Sequence, residues 1–155
     1  MDIKAGNPYP AGALSNFAPH PFQLDGVQIS SMEGFLQSLK FKEPDMQEHI
    51  CTLVGVKAKY SGKGKNWQRT QTLYWRGEPI KRESKGYQEL LDRAYDAMFT
   101  QNEKAKRALL ATNGANLTHS IGHHKESETV LTKKEFCSRL MKMRSKLRAA
   151  KYMEF

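Results

Sequence analysis

A mainly helical single domain with one or two small β-hairpins is what this sequence predicts, and three observations carry the prediction. Apolar residues recur at helical spacing in several stretches, most of them opened by a Ser, Asp, Asn or Thr that suits a helix cap. Two shorter stretches instead alternate apolar and polar residues about turn residues. No repeat, low-complexity tract or Pro/Gly/Ser-rich linker interrupts the chain, so residues 1–155 read as one domain with room for a proper core.

In order, the opening segment through Ala18-Pro19-His20-Pro21 is rich in Pro, Gly and Asn and is expected to be irregular. Phe22 to Ile29 alternates around Asp25-Gly26 as a short hairpin. Ser30 then caps a helix that Pro44 ends, with Met32, Phe35, Leu36 and Leu39 as its buried stripe. Ser30-x-x-Glu33 fits a capping box. Asp45, with Glu48 three residues on, caps the next helix, whose buried side is Ile50, Leu53, Val54 and Val56. From Lys57 to Arg69 two glycines, Gly62 and Gly64, forbid much regular structure. A second hairpin is expected from Gln71-Thr72-Leu73-Tyr74-Trp75 and Ile80-Lys81-Arg82 about the turn at Arg76-Gly77-Glu78-Pro79. Ser84 caps a helix to about Phe99, with Tyr87, Leu90, Leu91, Ala94, Tyr95 and Met98 inside. Asn102 caps a shorter one carrying Ala105, Ala108 and Leu109, stopped by Asn113-Gly114. Thr132-Lys133-Lys134-Glu135 is a further capping box, opening a last helix that buries Phe136, Leu140, Met143 and Leu147. Of that helix's cations, Arg144 is the one expected to point inward.

Composition narrows the function classes. No apolar run approaches the roughly 20 residues that span a bilayer, and the first residues lack the apolar core of a signal peptide. A cytoplasmic protein without a membrane partner is the expectation. Cys51 and Cys137 lie far apart with no Cys-x-x-Cys pair, so neither a disulfide framework nor a zinc site is expected, and both thiols should be buried. Adjacent His123 and His124 lack a matching pair, and no metal is expected. The formal net charge of +9 favours an acidic partner: nucleic acid, a nucleotide or a phosphorylated metabolite. There is no Gly-x-Ser-x-Gly, no phosphate-binding Gly-x-x-x-x-Gly-Lys-Ser/Thr and no dinucleotide fingerprint, which removes support for esterase, ATPase, kinase and dehydrogenase readings.

Three groups of residues carry chemistry. Glu33, Gln37 and Lys40 fall at i, i+4 and i+7, a polar stripe along the margin of a buried face, where a cleft would open. Spacing leaves two readings open: a site built of a carboxylate, an amide and an amine, or a capping residue followed by a solvated face. The stretch from Lys57 to Arg69 sets Lys59, Lys63 and Lys65 among Tyr60 and Trp67. Ammonium groups there neutralise phosphates while an aromatic face stacks on a base, worth about 1–3 kcal/mol per base; the alternative is a solvated loop whose Trp67 folds back into the core. His119-Ser120-Ile121-Gly122 offers an imidazole and a hydroxyl after a turn, with no acid partner assignable by spacing.

The order of residues in Leu14-Ser15-Asn16-Phe17-Ala18-Pro19, Leu24-Asp25-Gly26 and Ser31-Met32-Glu33-Gly34-Phe35-Leu36-Gln37-Ser38-Leu39-Lys40-Phe41 resembles the YbiA-like, or NADAR, family. Ala58-Lys59 with Gly62 is similar to that family's Ala-Lys…Gly segment. Phe99-Thr100-Gln101-Asn102, Leu109-Leu110-Ala111-Thr112 and His119-Ser120 are similar to its second half. The chain departs from the pattern between His123 and Thr132, where the family's Asp-x-x-Trp-Gly and Gly-x-Asn-x-Leu-Gly stretches are missing; Glu126, Glu128, Trp67 and Trp75 are the residues available to replace that Asp and Trp.

The resemblance implies a mainly helical YbiA-like fold and N-glycoside hydrolysis. Two substrate classes are associated with the family: ADP-ribose on the amino group of guanine in nucleic acid, and ribosylaminopyrimidine phosphates of riboflavin synthesis. On the first, Glu33 is the acid/base or charge stabiliser, and Lys40 either steadies the diphosphate or ribose oxygens or attacks the opened sugar as an amine. Asn16 and Gln37 hydrogen-bond ribose hydroxyls and Phe17 packs against a ring. Ser15, Trp67, His119 and Ser120 complete the substrate-binding set, with Lys59, Lys63 and Lys65 on the nucleic acid. No cofactor or metal is called for, and a functional pairing with an ADP-ribosyltransferase is expected. A non-catalytic nucleic-acid-binding protein on the same scaffold is the reading from another class.

Overall fold

The computed structural model describes residues 1–152, so the last three residues of the expected 1–155 domain lie outside it. β1 (Phe22–Leu24) and β2 (Val27–Ile29) form the first hairpin, with Phe22 opposite Ile29 and Leu24 opposite Val27. All four are buried, while Gln23 and Gln28 face out, as period-2 alternation requires. The hairpin lies against the long helix described below and delivers the chain to α1 (Met32–Ser38).

Here the structure corrects the expected cap. Ser31, not Ser30, is the N-cap: its extended backbone lets Oγ accept from the Gly34 N–H at 3.1 Å and donate to the Leu53 carbonyl at 2.8 Å. Ser30 is occupied elsewhere, its N–H donating to the Cys51 carbonyl. The box at 30–33 therefore does not close, and Glu33 is left at the second helical position. α1 also stops at Ser38 rather than running to Pro44, because Pro44 starts the next helix instead of ending this one.

α2 (Pro44–Cys51) is capped by Glu43 without a side-chain bond, not by Asp45, and buries Gln47, Ile50 and Cys51. Leu53 is half-buried and Val54 and Val56 are exposed, contrary to expectation. Val56 belongs to a separate helix, α3 (Gly55–Ser61), whose N-cap is Val54, and Leu53 lies in the link before it. Gly55 sits at φ 58°, a backbone that breaks α2 from α3. So the start of the lysine-rich stretch is helical, not irregular, with Ala58 as its buried contact and a 3₁₀ turn at Trp67–Arg69 closing the segment.

β3 (Thr72–Trp75) and β4 (Glu78–Lys81) make the second hairpin, with a shorter turn than expected: Arg76 and Gly77 both take positive φ, which reverses the chain in two residues, so Glu78 and Pro79 pair with Trp75 and Tyr74. α4 (Lys85–Gln101) begins at the expected cap, Ser84 Oγ accepting from Tyr87 N–H at 3.1 Å. α5 (Glu103–Leu110) follows, with Asn102 Oδ1 accepting from Ala105 N–H. α6 (Lys133–Tyr152) opens on the Thr132–Glu135 box, with both reciprocal bonds present. The core gathers Phe35, Leu36 and Leu39 of α1, Tyr87, Leu91 and Tyr95 of α4, and Phe136 and Leu140 of α6. Both cysteines are free and buried. Arg144 does point inward, donating to Thr112 Oγ1 and the Ala115 carbonyl. No helix among the described residues is long and apolar enough to cross a membrane.

A candidate active site along the first helix

The polar margin of α1 opens on a cavity of about 530 Å³. Glu33, Gln37 and Lys40 line it together, the first of the two readings their spacing left open. Ser15, Asn16 and Phe17 form an adjoining wall, coupled to the helix because the Glu33 N–H donates to the Asn16 carbonyl at 2.9 Å. Asn16 Oδ1 accepts from the Tyr95 hydroxyl at 2.8 Å, which leaves the amide NH₂ as its donor. Ser15 Oγ accepts from the Phe17 N–H and shapes that turn.

The electrostatics of the stripe follow from partial burial. Glu33 Oε1 accepts one hydrogen bond, from Gln37 Nε2 at 3.0 Å. Burial raises the Glu33 carboxyl above the usual range; the Gln37 amide and the charges of Lys40, Lys59 and His119 oppose this without cancelling it. Burial likewise lowers the Lys40 ammonium, with Glu33 opposing. A carboxyl raised by burial thus stands near an amine lowered by burial, and each charge partly offsets the shift of the other. Gln37 Oε1 is buried with no hydrogen-bond partner. It faces Gly62, where an added Cβ would collide with it and come within 2.8 Å of Lys40 Cδ. Only the missing side chain at 62 lets α3 close over this stripe.

Trp67 is 5% exposed and lines the cavity, so its indole is part of the wall and not a platform on an open loop. Lys59 also reaches the cavity; Lys63 and Lys65 do not line it. Those two lie along the outer surface, the Lys63 ammonium 5.8 Å from the ring centre of exposed Tyr60 and the Lys65 ammonium 4.7 Å from that of Phe41. His119 is in the lining, whereas Ser120 is not: its hydroxyl donates to Asp2 Oδ2 at 2.6 Å and its N–H to Asp2 Oδ1.

The remaining wall was not readable from the sequence. Lys4 comes from the irregular N-terminal segment, and His123, Glu128 and Val130 from the stretch where the family pattern is missing. Of the residues available to replace that pattern, Glu128 and Trp67 line the cavity, and Trp75 instead donates its indole N–H to Asp25 Oδ2. The 129–130 backbone is held from behind: Arg82 Nε donates to the Thr129 carbonyl at 2.9 Å and the Tyr87 hydroxyl to the Val130 carbonyl at 2.6 Å. Among the described residues no group of three or more His, Cys, Asp or Glu is placed to hold a metal. A second groove, about 490 Å³, lies between α4 and α6 over Leu24, Tyr95 and Met143, with its charges largely paired and none of the predicted residues in it.

Six helices and two small antiparallel hairpins, with the first helix bearing one wall of the cavity, make up the described residues. The chain superposes on the NMR structure of the E. coli protein YbiA with a TM-score of 0.64 at 21% identity, covering 100% of this chain and 90% of that one. The fold is therefore YbiA-like, as the sequence resemblance implied. The Bacteriophage protein GP30.3 family matches over residues 8–145, and the chain belongs to that family. It is also 38% identical over 151 residues to the uncharacterized 17.1 kDa protein in the Gp30-rIII intergenic region of Enterobacteria phage T4, covering 95% of this chain and 98% of the phage protein.

Proposed function

We propose that this protein is an N-glycosidase that hydrolyses the bond between ADP-ribose and the guanine amino group in nucleic acid. The observation that carries the reading is the convergence of the Glu33 carboxyl and the Lys40 amine on one cavity of about 530 Å³, the size of a small-molecule site. Breaking a C–N glycosidic bond builds positive charge on the anomeric carbon, which the Glu33 carboxylate offsets. The Asn16 amide supplies a donor for ribose hydroxyls, Gln37 instead holds Glu33 with its oxygen shut against Gly62, Phe17 and Trp67 supply ring contacts, and Lys40 and Lys59 supply cations for the diphosphate. Lys63 and Lys65, beside Tyr60, continue this positive surface outward, where a polynucleotide backbone would run.

The test is release of free ADP-ribose from a guanine-ADP-ribosylated oligonucleotide. Wild type releases it and Glu33→Gln does not, with circular dichroism unchanged; a Glu33→Gln protein as active as wild type sinks the assignment. A second reading, hydrolysis of a ribosylaminopyrimidine phosphate, is favoured by one observation: Lys63 and Lys65 stand outside the cavity, so a small substrate needs neither. Charge reversal at both separates the readings. It weakens oligonucleotide turnover with a shallower salt dependence under the first and leaves a small substrate untouched under the second.

A further inference from the structure

Resting on that reading, we propose that His119 delivers the proton to the departing guanine nitrogen, with Asp2 and Ile3 holding it in position, and that Glu33 serves the water and the anomeric carbon. The imidazole is oriented from several sides. Nδ1 lies 2.6 Å from the Ile3 carbonyl oxygen, which can only accept, so Nδ1 keeps its hydrogen and Nε2 is the nitrogen that exchanges a proton. The Cδ2 edge is covered by Gly122, so closely that a Cβ there would approach it to 2.6 Å. The ring meets Phe136 edge-on at 5.1 Å. With Nδ1 and Cδ2 both covered, the edge by which the ring lines the cavity is Cε1–Nε2.

The backbone around it is equally fixed. Ile3 N–H donates to the Thr118 carbonyl at 2.8 Å, Thr118 N–H to the Met1 carbonyl at 2.9 Å, and Asp2 takes both hydrogen bonds from Ser120. Residues on either side of His119 are thus clipped to the N-terminal segment. The charged and titratable groups around the imidazole are Asp2 and Lys4 of that segment, Glu33 of α1, His123 of the following loop and Lys133 at the start of α6.

The step balances. The anomeric C–N bond breaks, its electron pair goes to the guanine nitrogen, and that nitrogen takes the Nε2 proton of the imidazolium. A water oxygen bonds the anomeric carbon and gives its proton to the Glu33 carboxylate. Free ADP-ribose and an unmodified guanine amino group leave, and solvent returns a proton to His119 and removes one from Glu33.

The test follows kcat and KM on guanine-ADP-ribosylated oligonucleotide across pH 5 to 9 for wild type, His119→Gln and Asp2→Asn, with melting curves alongside. Wild-type kcat is expected to fall at alkaline pH as the proton is lost. His119→Gln is expected to lose about 10²-fold in kcat, the size of a general-acid contribution, with KM within about twofold and the alkaline limb gone. His119→Ala regains turnover on adding imidazole. Asp2→Asn lowers kcat less and keeps the limb. A wild-type profile with no alkaline limb, or a folded His119→Gln with wild-type kcat, overturns the assignment while leaving the glycosidase intact. A wild type that releases no ADP-ribose overturns both.

Discussion

Glu33 and Glu135 occupy the first turns of two helices, one position apart in register, and the protein treats them in opposite ways. Glu135 stands three residues after its cap and closes a box, accepting from the Thr132 N–H at 2.8 Å. It also takes two bonds from Arg82, at 2.6 and 3.1 Å, and one from Gln88 at 2.7 Å. Burial raises its carboxyl, but Arg82, Thr132 and Gln88 together hold it below the ordinary range. Glu33 stands two residues after Ser31, too early to reach back to the cap, and receives a single amide. Burial then wins and its carboxyl is raised. Glu135 has four hydrogen bonds to offset its burial and Glu33 has one, and that difference separates the ion-paired carboxylate from the one left facing the cavity.

The comparison breaks first at Glu135. Glu135→Ala leaves the fully buried Arg82 guanidinium without its anion, and a loss of about 3–5 kcal/mol is expected in urea unfolding; a loss under about 1 kcal/mol would show the pair to be incidental. Glu33→Gln should do the reverse: turnover falls by about 10²-fold or more, yet the melting temperature at pH 7 stays level or rises, because a neutral amide avoids the burial that disfavours the carboxylate. A clear drop in melting temperature would contradict that. Gly62→Ala drives a methyl group against Gln37 and Lys40, and overpacking of this kind costs about 1–3 kcal/mol. Steady-state kinetics should show kcat falling more than KM rises.

The pH dependences sharpen the contrast because their signs oppose. A carboxyl lowered on folding contributes stability above its unfolded value, about 4.3 for Glu, and loses it as pH falls through the folded one. The deficit of Glu135→Ala should therefore shrink in acid. A carboxyl raised on folding binds its proton more tightly in the native state, so stability falls as pH rises from the unfolded value to the folded one. Glu33→Gln should accordingly gain on wild type across that window. Parallel curves for the two variants would end the distinction.

Much of this was legible in the sequence. Ser84, Asn102 and Thr132 cap where short-range chemistry says they should, and the alternation at Phe22–Ile29 makes its hairpin, because caps and alternation are settled by neighbours. Glu33 and Gln37 share a direction because helix periodicity sets it, and the turn just past α1, Lys40 N–H donating to the Gln37 carbonyl, brings Lys40 beside them. What failed depended on distant partners. The claim of Cys51 on the Ser30 N–H shifted the cap by one residue, and Gly55 split one expected helix into two. The wall from His123 to Val130 had no periodic signal, since Arg82 and Tyr87, far away in sequence, hold it. Ser120 reads as a partner of His119 in the sequence and as its anchor in the structure.

Gln47 has a consequence for how this cavity takes up a ligand. Its amide NH₂ donates to the Ser38 carbonyl at 3.0 Å and the Tyr74 carbonyl at 2.7 Å, while its oxygen accepts from the Arg76 N–H at 2.8 Å. Tyr74 N–H takes the Leu39 carbonyl as well. The two residues before Lys40 are thus tied to the second hairpin, Leu39 directly and Ser38 through Gln47, so that half of the chamber behaves as an anvil. Whatever adjustment a visiting molecule demands falls on the opposite face, and amide exchange slowed by ligand should appear from residue 121 to 128 while Tyr74 and Arg76 stay protected throughout.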